Sequence, residues 1–341
     1  MEKVRFGSTE LMVSRIALGG IPLERLSLED AAELVRKTIE LGINFLDTAH
    51  GYTDSEEKMG LGIKGFPRED IIIASKSPAR DKKTFFEHLD LTLKRLGTDY
   101  VDIYQHHGIS TIEAYNEIMV EGGAFEGMME AVRDGRIRFP AFSSHDVELS
   151  MEIMKKGHFK SVQLPLNYVE DGAVKAVQLA KELDIGFIAM KPFGGGRLSN
   201  AKLAIKYLMQ FDHIVPDPGI EKFHEIEEIV RIVNSGEALT DDEIAEMQKI
   251  KSEMEKEWCR QCDYCRPCPQ NIEISRVLMS DRMHKRLPHV RVMKFISVPM
   301  ENAKSCTECG QCMPKCPYHL DIPKLIKEKL ALWDEYMAKH Q

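Results

Sequence analysis

Eight short apolar segments alternate with amphipathic helical segments over about 230 residues, and this alternation limits the fold more than any other feature. Most of the segments are continuous apolar runs, which are typical of parallel strands buried on both faces. The pattern predicts a (β/α)8 TIM barrel of the α/β class, with a doubly wound sheet as the alternative. The strand candidates are SRIALG (14–19), INFLDTA (43–49), DIIIASK (70–76), YVDIYQHH (100–107), RIRFPAFS (136–143), KSVQLPLN (160–167), IGFIAMKP (185–192) and HIVPD (213–217).

A domain boundary follows the last of these units. Thr240 and Glu243 have the T-x-x-E spacing of a capping box, which predicts a helix that continues to about Trp258. We therefore expect a barrel over residues 1–250 and a second, smaller domain over residues 251–341.

All eight cysteines lie in that second domain, in two runs. The second run has the C-x2-C-x2-C-x3-C-P spacing of bacterial ferredoxin-type sites, and the first run is one residue shorter before its last cysteine. Structural zinc is the alternative, but zinc knuckles normally use two cysteines and lack the trailing Cys-Pro. The runs therefore predict two [4Fe-4S] clusters in a mainly helical, ferredoxin-like domain. The ligands would be Cys259, Cys262, Cys265, Cys268, Cys306, Cys309, Cys312 and Cys316.

The two runs are expected to exchange their last cysteines. In such sites, the cysteine before proline ligates the neighbouring cluster. On that logic, Cys316 completes the cluster of the first run and Cys268 completes the cluster of the second. The shorter spacing in the first run makes this partition less secure than the ligand set itself.

Charge and composition exclude several classes of protein. Residues 1–250 carry a formal charge of −12, which argues against a nucleic-acid partner. Residues 251–341 carry +4, which two clusters of about −2 each would neutralise. The first twenty residues lack the apolar core of a signal peptide, and no apolar run is long enough to span a membrane. We expect a cytoplasmic protein, where cysteines more often bind metals than form disulfides.

Four polar residues fall where strands of the predicted barrel end. Asp47 and Tyr52 follow the second strand, Lys76 ends the third and His107 ends the fourth. Active sites of such barrels lie at these carboxyl ends. A buried lysine beside a tyrosine lowers the pKa of the phenol, and a nearby aspartate balances the lysine charge. A phenol of this kind can protonate a carbonyl oxygen while hydride reaches the carbon, with the histidine orienting the oxygen.

These segments resemble a known family. FLDTAHGY, IIIASK and DYVDIYQHH are similar, in order and spacing, to the tetrad motifs of the aldo/keto reductase superfamily, and RFGSTELMVSRIALGG resembles its N-terminal signature. The resemblance covers residues 3–250, and the subgroup with an iron–sulfur tail matches 259–330 as well. It implies Tyr52 as the general acid, Lys76 as its partner, Asp47 as the charge support and His107 as the orienting group. His106 stands where the family usually has an apolar residue, and we expect it in the core or at the rim.

The resemblance also implies a nicotinamide nucleotide site. The nicotinamide ring would lie against Ser143, Ser144 and Gln163, with Asn167 nearby. Met190 stands where many members of the family have an aromatic residue that stacks on this ring. The other implied contacts are Lys191, Pro192, Gly194 and Gly195 for the pyrophosphate, Gly219 after the last strand, and Glu228 for the adenine. Glu221 and Glu225 would repel a 2′-phosphate, which weakens the case for NADPH and leaves two alternatives, NADH or weak binding of any nucleotide. Gly60-x-Gly62-x-x-Gly65 ends a helix and does not follow a strand, so we do not interpret it as a dinucleotide fingerprint.

Two functions are consistent with these features. The first is an NAD(P)H-dependent oxidoreductase that acts on a small carbonyl or alcohol, with clusters that exchange electrons with a redox protein. The second is an electron-transfer protein whose barrel docks a redox or flavin partner without reducing carbonyls. Hydride transfer moves two electrons together and a cluster takes one, so a bound flavin is also possible. The first function is favoured because all four residues of the tetrad are present, namely Asp47, Tyr52, Lys76 and His107.

Overall fold

A computed structural model describes residues 1–340, apart from the side chain of Arg286. It divides into two compact units, Met1–Thr240 and Asp241–Gln341. The division falls ten residues before the expected boundary, because the helix that begins after Thr240 belongs to the second unit.

The first unit is the predicted barrel. Eight parallel strands pair in chain order, and each matches one apolar segment of the sequence. A short antiparallel hairpin precedes them. The hairpin strands are β1 (Lys3–Arg5) and β2 (Met12–Ser14), and the barrel strands are β3 (Ala17–Gly19), β4 (Phe45–Asp47), β5 (Ile72–Ser77), β6 (Val101–His106), β7 (Ile137–Ser143), β8 (Ser161–Pro165), β9 (Gly186–Met190) and β10 (Ile214–Asp217).

The barrel closes between its first and last strands. The backbone N–H of Gly19 donates to the carbonyl oxygen of Pro218 at 2.9 Å, and Gly19 bridges to Gly219. At the opposite end, Phe6, Leu11 and Val13 pack on apolar residues that the strands turn inward. The hairpin therefore fills the amino end of the barrel, and the functional side chains lie at the carboxyl ends of the strands.

Nine helices surround the strands, each with an apolar face toward the barrel. Side-chain caps fix several of their starts; Ser27, for example, accepts the backbone N–H of Asp30 before the first helix. The helices are α1 (Leu28–Glu40), α2 (Ser55–Gly62), α3 (Lys82–Leu96), α4 (Ile112–Met119), α5 (Ala124–Arg133), α6 (Val147–Lys155), α7 (Val174–Glu182), α8 (Ala201–Met209) and α9 (Phe223–Ser235).

The glycines at 60 and 62 serve helix packing. A Cβ at Gly60 would lie 2.5 Å from the carbonyl oxygen of Arg95, and one at Gly62 would lie 2.5 Å from the side chain of Val35. Both glycines belong to α2, so they allow close contact between helices.

The second unit is helical and has its own core. Its first helix ends at Met254, four residues before the expected end near Trp258. Trp333 packs in the core with apolar residues of three other helices, and Cys259, Cys265 and Cys316 line the same core. The helices are α10 (Asp241–Met254), α11 (Ile274–Leu278), α12 (Ser280–Arg286), α13 (His289–Ala303) and α14 (Ile322–Ala338). None of the helices in residues 1–340 is long and apolar enough to cross a membrane.

Candidate functional site

A buried ion pair joins the ends of β4 and β5. Lys76 Nζ donates to Asp47 Oδ2 at 2.5 Å and to the carbonyl oxygen of Thr48 at 2.7 Å. Burial alone lowers the pKa of Lys76, but the negative charges around it, Asp47 first, offset this and raise the pKa above its ordinary value. Lys76 therefore carries its positive charge inside the barrel at neutral pH.

Tyr52 lies beside this pair, in the loop after β4. Lys76 Nζ is 5.2 Å from the centroid of the Tyr52 ring, and the loop is held because His50 N–H donates to the carbonyl oxygen of Lys76. Burial raises the pKa of Tyr52 to about 12; Lys76 lowers it, but Asp47 opposes that effect. The expectation of a lowered phenol pKa is therefore wrong for this structure, because burial outweighs the lysine.

His107 faces Tyr52 from the end of β6. The two ring centroids are 5.9 Å apart at 80°, and the His107 backbone N–H donates to the carbonyl oxygen of Ser77. Burial first, then the charges of Lys76 and Arg80, lower the pKa of His107 to about 3. The imidazole is therefore neutral at neutral pH and can donate one N–H to an oxygen atom.

His106 points away from this group. It is fully buried among Phe85, Phe125 and Phe159, as a core position requires. Burial lowers its pKa to about 3. Within residues 1–340, neither ring nitrogen of His106 has a hydrogen-bond partner.

The residues expected near the nicotinamide are buried at the ends of β7 and β8. Ser143 Oγ accepts the backbone N–H of Gly108 at 3.1 Å, and Ser144 N–H donates to the carbonyl oxygen of Gln163 at 3.1 Å. Gln163 Nε2 donates to Asp47 Oδ2 at 3.3 Å. Gln163 Oε1 is buried and has no partner among the described residues. It is a free acceptor of the kind that a bound amide N–H would satisfy.

The sequence analysis missed two polar residues here. Asp217, at the end of β10, accepts Gln163 Nε2 at 3.0 Å, and Gln105 on β6 donates to Asp47 Oδ1 at 3.5 Å. The signal for Asp217 was an acidic residue at the end of an otherwise apolar strand.

The loop after β9 has an unusual backbone. Gly194, Gly195 and Gly196 have φ of 55°, 75° and 86°, and Lys191 has φ of 59°. Asn167 Nδ2 donates to the carbonyl oxygen of Lys191 at 3.1 Å, which ties this loop to the end of β8. Within the loop, the backbone N–H groups of Gly194 and Gly196 donate to the carbonyl oxygens of Lys191 and Phe193 at 2.8 Å each, so the loop is a compact turn whose shape these glycines permit.

The acidic residues near the start of α9 are not free. Glu221 forms an ion pair with Arg25, and Glu225 accepts the backbone N–H groups of Glu221 and Lys222 at 2.9 Å each. Glu225 therefore caps the helix, and Glu221 is paired with Arg25. Glu228, expected at the adenine, is on the exposed side of α9.

Four cysteines line one cavity of the second unit. Cys306, Cys309 and Cys312 of the second run border it together with Cys268 of the first run. The cavity is about 360 Å³, open space included, and Ile272, Pro323 and Ile326 are among its apolar lining residues.

The other four cysteines also lie together. Burial raises the pKa of Cys265 to about 12, and Cys259 and Cys262 add to the effect as neighbours. Cys316 likewise acts on Cys262. Both groups therefore combine three cysteines of one run with the last cysteine of the other. A [4Fe-4S] cluster needs four thiolates around an apolar space, and the cavity lined by Cys268 combines four cysteines with apolar side chains. Among the described residues, no three cysteine, histidine or carboxylate side chains converge closely enough to bind a single metal ion.

Comparisons with known proteins agree with both units. The aldo/keto reductase family model matches residues 15–213, and a 4Fe-4S dicluster domain model matches residues 258–321. The uncharacterized oxidoreductase YqkF of Bacillus subtilis is 32% identical over 60% of this chain and 68% of its own length. L-Galactose dehydrogenase of Arabidopsis thaliana is 29% identical over 57% of this chain and 66% of its own length. The holo structure of an aldo-keto reductase from Bacillus halodurans superposes with a TM-score of 0.64, at 25% identity, over 73% of this chain and 96% of that one.

Proposed function

The chain belongs to the aldo/keto reductase family, and on that premise we propose that it is an NAD(P)-linked oxidoreductase that reduces a small carbonyl compound or oxidises the corresponding alcohol. The observation that carries this proposal is the buried Asp47–Lys76 ion pair, with the Tyr52 ring 5.2 Å from the lysine nitrogen and His107 beside Tyr52. A barrel that only docked a partner would have no need for a buried cation and a phenol at this place.

The protonation states support reduction. With its pKa raised to about 12, Tyr52 is protonated at neutral pH and can donate to a carbonyl oxygen. Neutral His107 can donate a second hydrogen bond to the same oxygen without bringing a charge. Lys76 then stabilises the negative charge that develops on Tyr52 as its proton leaves.

A nicotinamide nucleotide supplies the hydride in this chemistry when it is bound. The residues that would hold it are those implied by the family: Gln163 through its free Oε1, Ser143 and Ser144 beside it, and the glycine loop for the phosphates. The other residues that the family implies as nucleotide contacts are Lys191, Pro192, Gly194, Gly195, Gly219 and Glu228.

NADH is the nucleotide that the charges at α9 favour. Arg25 already forms an ion pair with Glu221. A 2′-phosphate would have to compete with Glu221 for Arg25, whereas NADH brings no such charge.

The cysteines favour a second role in electron transfer. We assign Cys259, Cys262, Cys265 and Cys316 to one [4Fe-4S] cluster and the other four cysteines to a second. Carbonyl reduction by hydride needs neither, so the clusters would serve exchange of single electrons with a redox protein or flavin partner. An electron-transfer protein without carbonyl reductase activity is therefore the competing function.

The Tyr52→Phe variant separates the two functions. It removes the proton donor and leaves the ring, so we expect carbonyl reduction to fall by about a hundredfold or more while NADH binding and iron content stay at the level of the wild type. The measurements are anaerobic turnover with a panel of aldehydes and ketones, nucleotide titration and iron analysis. Unchanged turnover in the variant would refute the assignment of Tyr52.

A further inference from the structure

A second carboxyl group lies inside the active site, beside the Asp47–Lys76 ion pair. Asp217 is the last residue of β10 and is 8% exposed. It is close enough to Asp47 for the charge of that carboxylate to raise the pKa of Asp217. Gly19 makes room for it, because a Cβ at Gly19 would lie 2.8 Å from Asp217 Oδ1.

One amide group connects the two carboxyls. Gln163 Nε2 donates to Asp217 Oδ2 at 3.0 Å and to Asp47 Oδ2 at 3.3 Å. Asp217 Oδ1 is buried and has no hydrogen-bond partner within residues 1–340. A buried carboxylate oxygen without a donor is costly, which favours the protonated form of the Asp217 carboxyl.

The charges around Asp217 also favour one proton on the pair of carboxyls formed by Asp47 and Asp217. The ionisable groups that face Asp217 are Asp47 from β4, Lys76 from β5 and Tyr52 from the loop after β4. Two ionised carboxylates would leave one excess negative charge beside a single cation in a buried site. Burial first, then the charge of Asp47, raise the pKa of Asp217 well above 3.8, which favours its neutral form.

We propose that Asp217 is a positioning residue of the active site, which shares one proton with Asp47 and holds the Gln163 amide with its oxygen turned away from the carboxyls. The proton leaves one negative charge on the pair, and Lys76 balances it. With Nε2 fixed between Asp47 and Asp217, Gln163 has only Oε1 to offer a ligand. It therefore selects an N–H donor, such as the carboxamide of a nicotinamide; this last step rests on the proposed function.

The shared proton can be observed without any activity. Infrared difference spectra between the wild type and Asp217→Asn, at neutral pH, isolate the group that the substitution removes. We expect the carbonyl stretch of a neutral carboxylic acid to be lost in the variant. Loss of a carboxylate band instead would show that Asp217 is ionised and would overturn the shared proton.

Nucleotide binding tests the positioning role. Asparagine can accept from Gln163 Nε2 and donate to Asp47, as the neutral acid does, whereas leucine can do neither. We expect Asp217→Asn to bind NADH within about threefold of the wild type and Asp217→Leu to bind it about tenfold more weakly, the value of one neutral hydrogen bond. Equal affinity of the two variants would overturn the role, and so would a weak Asp217→Asn.

The infrared and nucleotide-binding experiments distinguish a failure of this inference from a failure of the proposed function. If the wild type bound no NADH or NADPH, the proposed function would fail. The infrared result would still decide whether Asp217 and Asp47 share a proton, and iron content with circular dichroism would show that both variants are folded.

Discussion

The buried histidine of the barrel wall predicts how stability changes with pH. His106 is enclosed by three phenylalanines, and its pKa is lowered from 6.5 to about 3 by burial. The folded barrel therefore holds it neutral, while the unfolded chain binds a proton there below pH 6.5. Because the unfolded state binds more protons in the window between these pKa values, stability is lost as the pH falls from 6.5 towards 3.

The size of the effect follows from the shift. Each pH unit below 6.5 costs about 1.4 kcal/mol, so His106 costs the folded state about 2 kcal/mol at about pH 5. His106→Leu removes the ionisable group and two buried nitrogens that have no partner in the described part of the chain. Since an unsatisfied buried polar group costs about 1–3 kcal/mol, the variant should be more stable than the wild type at neutral pH. Its advantage should grow by about 2 kcal/mol at pH 5.

The assay must report on the barrel. Both tryptophans, Trp258 and Trp333, belong to the second unit, so their fluorescence follows that unit alone. Urea unfolding by circular dichroism, with hydrogen exchange of the β6 amides, measures the barrel. The control is His224→Gln, on the exposed side of α9, which should leave the pH dependence unchanged. An advantage of His106→Leu that is the same at pH 7 and pH 5 would refute the reasoning.

Three further predictions concern the proposed chemistry. Because the pKa of Tyr52 is raised to about 12, the rate of carbonyl reduction should stay level across neutral pH and alcohol oxidation should increase with pH; a pH–rate profile in which reduction already declines near neutrality would contradict this. Glu221→Gln releases Arg25, so titration calorimetry should show NADPH binding strengthened about tenfold relative to NADH, and an unchanged ratio would argue against contact with the ribose. Cys309→Ser should reduce iron from about eight to about four per chain and remove one of two cluster signals in electron paramagnetic resonance, whereas loss of all iron or of none would contradict separate clusters.

The barrel could be predicted from the sequence because each strand and each helix has its own local hydrophobic pattern. Apolar runs such as that of β9 are continuous, and the helices between the strands have one apolar face. Once the strands are known to be parallel, Asp47, Lys76 and His107 must lie at the same end. The cysteine spacing was equally local, and the cavity that Cys268 shares with the second run agrees with the expected exchange.

The features that the sequence could not show depend on opposing effects on a pKa and on contacts between residues that are far apart in the chain. The pKa of Tyr52 is set by burial against one lysine, and spacing carries no information on which effect is larger. Glu221 looked like a free acid because Arg25 lies far away in the chain. Asp217 ends the last predicted strand, more than 160 residues after Asp47, and only the closed barrel brings the two together.

The most direct test of the proposed function is to follow the hydride. NADH deuterated at C4 of the nicotinamide, on each face in turn, is mixed anaerobically with the protein, with its clusters loaded, and with a reducible carbonyl compound. We expect one of the two labelled forms to place one deuterium on the carbinol carbon per NADH consumed, and Tyr52→Phe, with the same iron content, to place none. NADH consumption without deuterium in the alcohol would contradict the proposed function, because the electrons would then have left through another group.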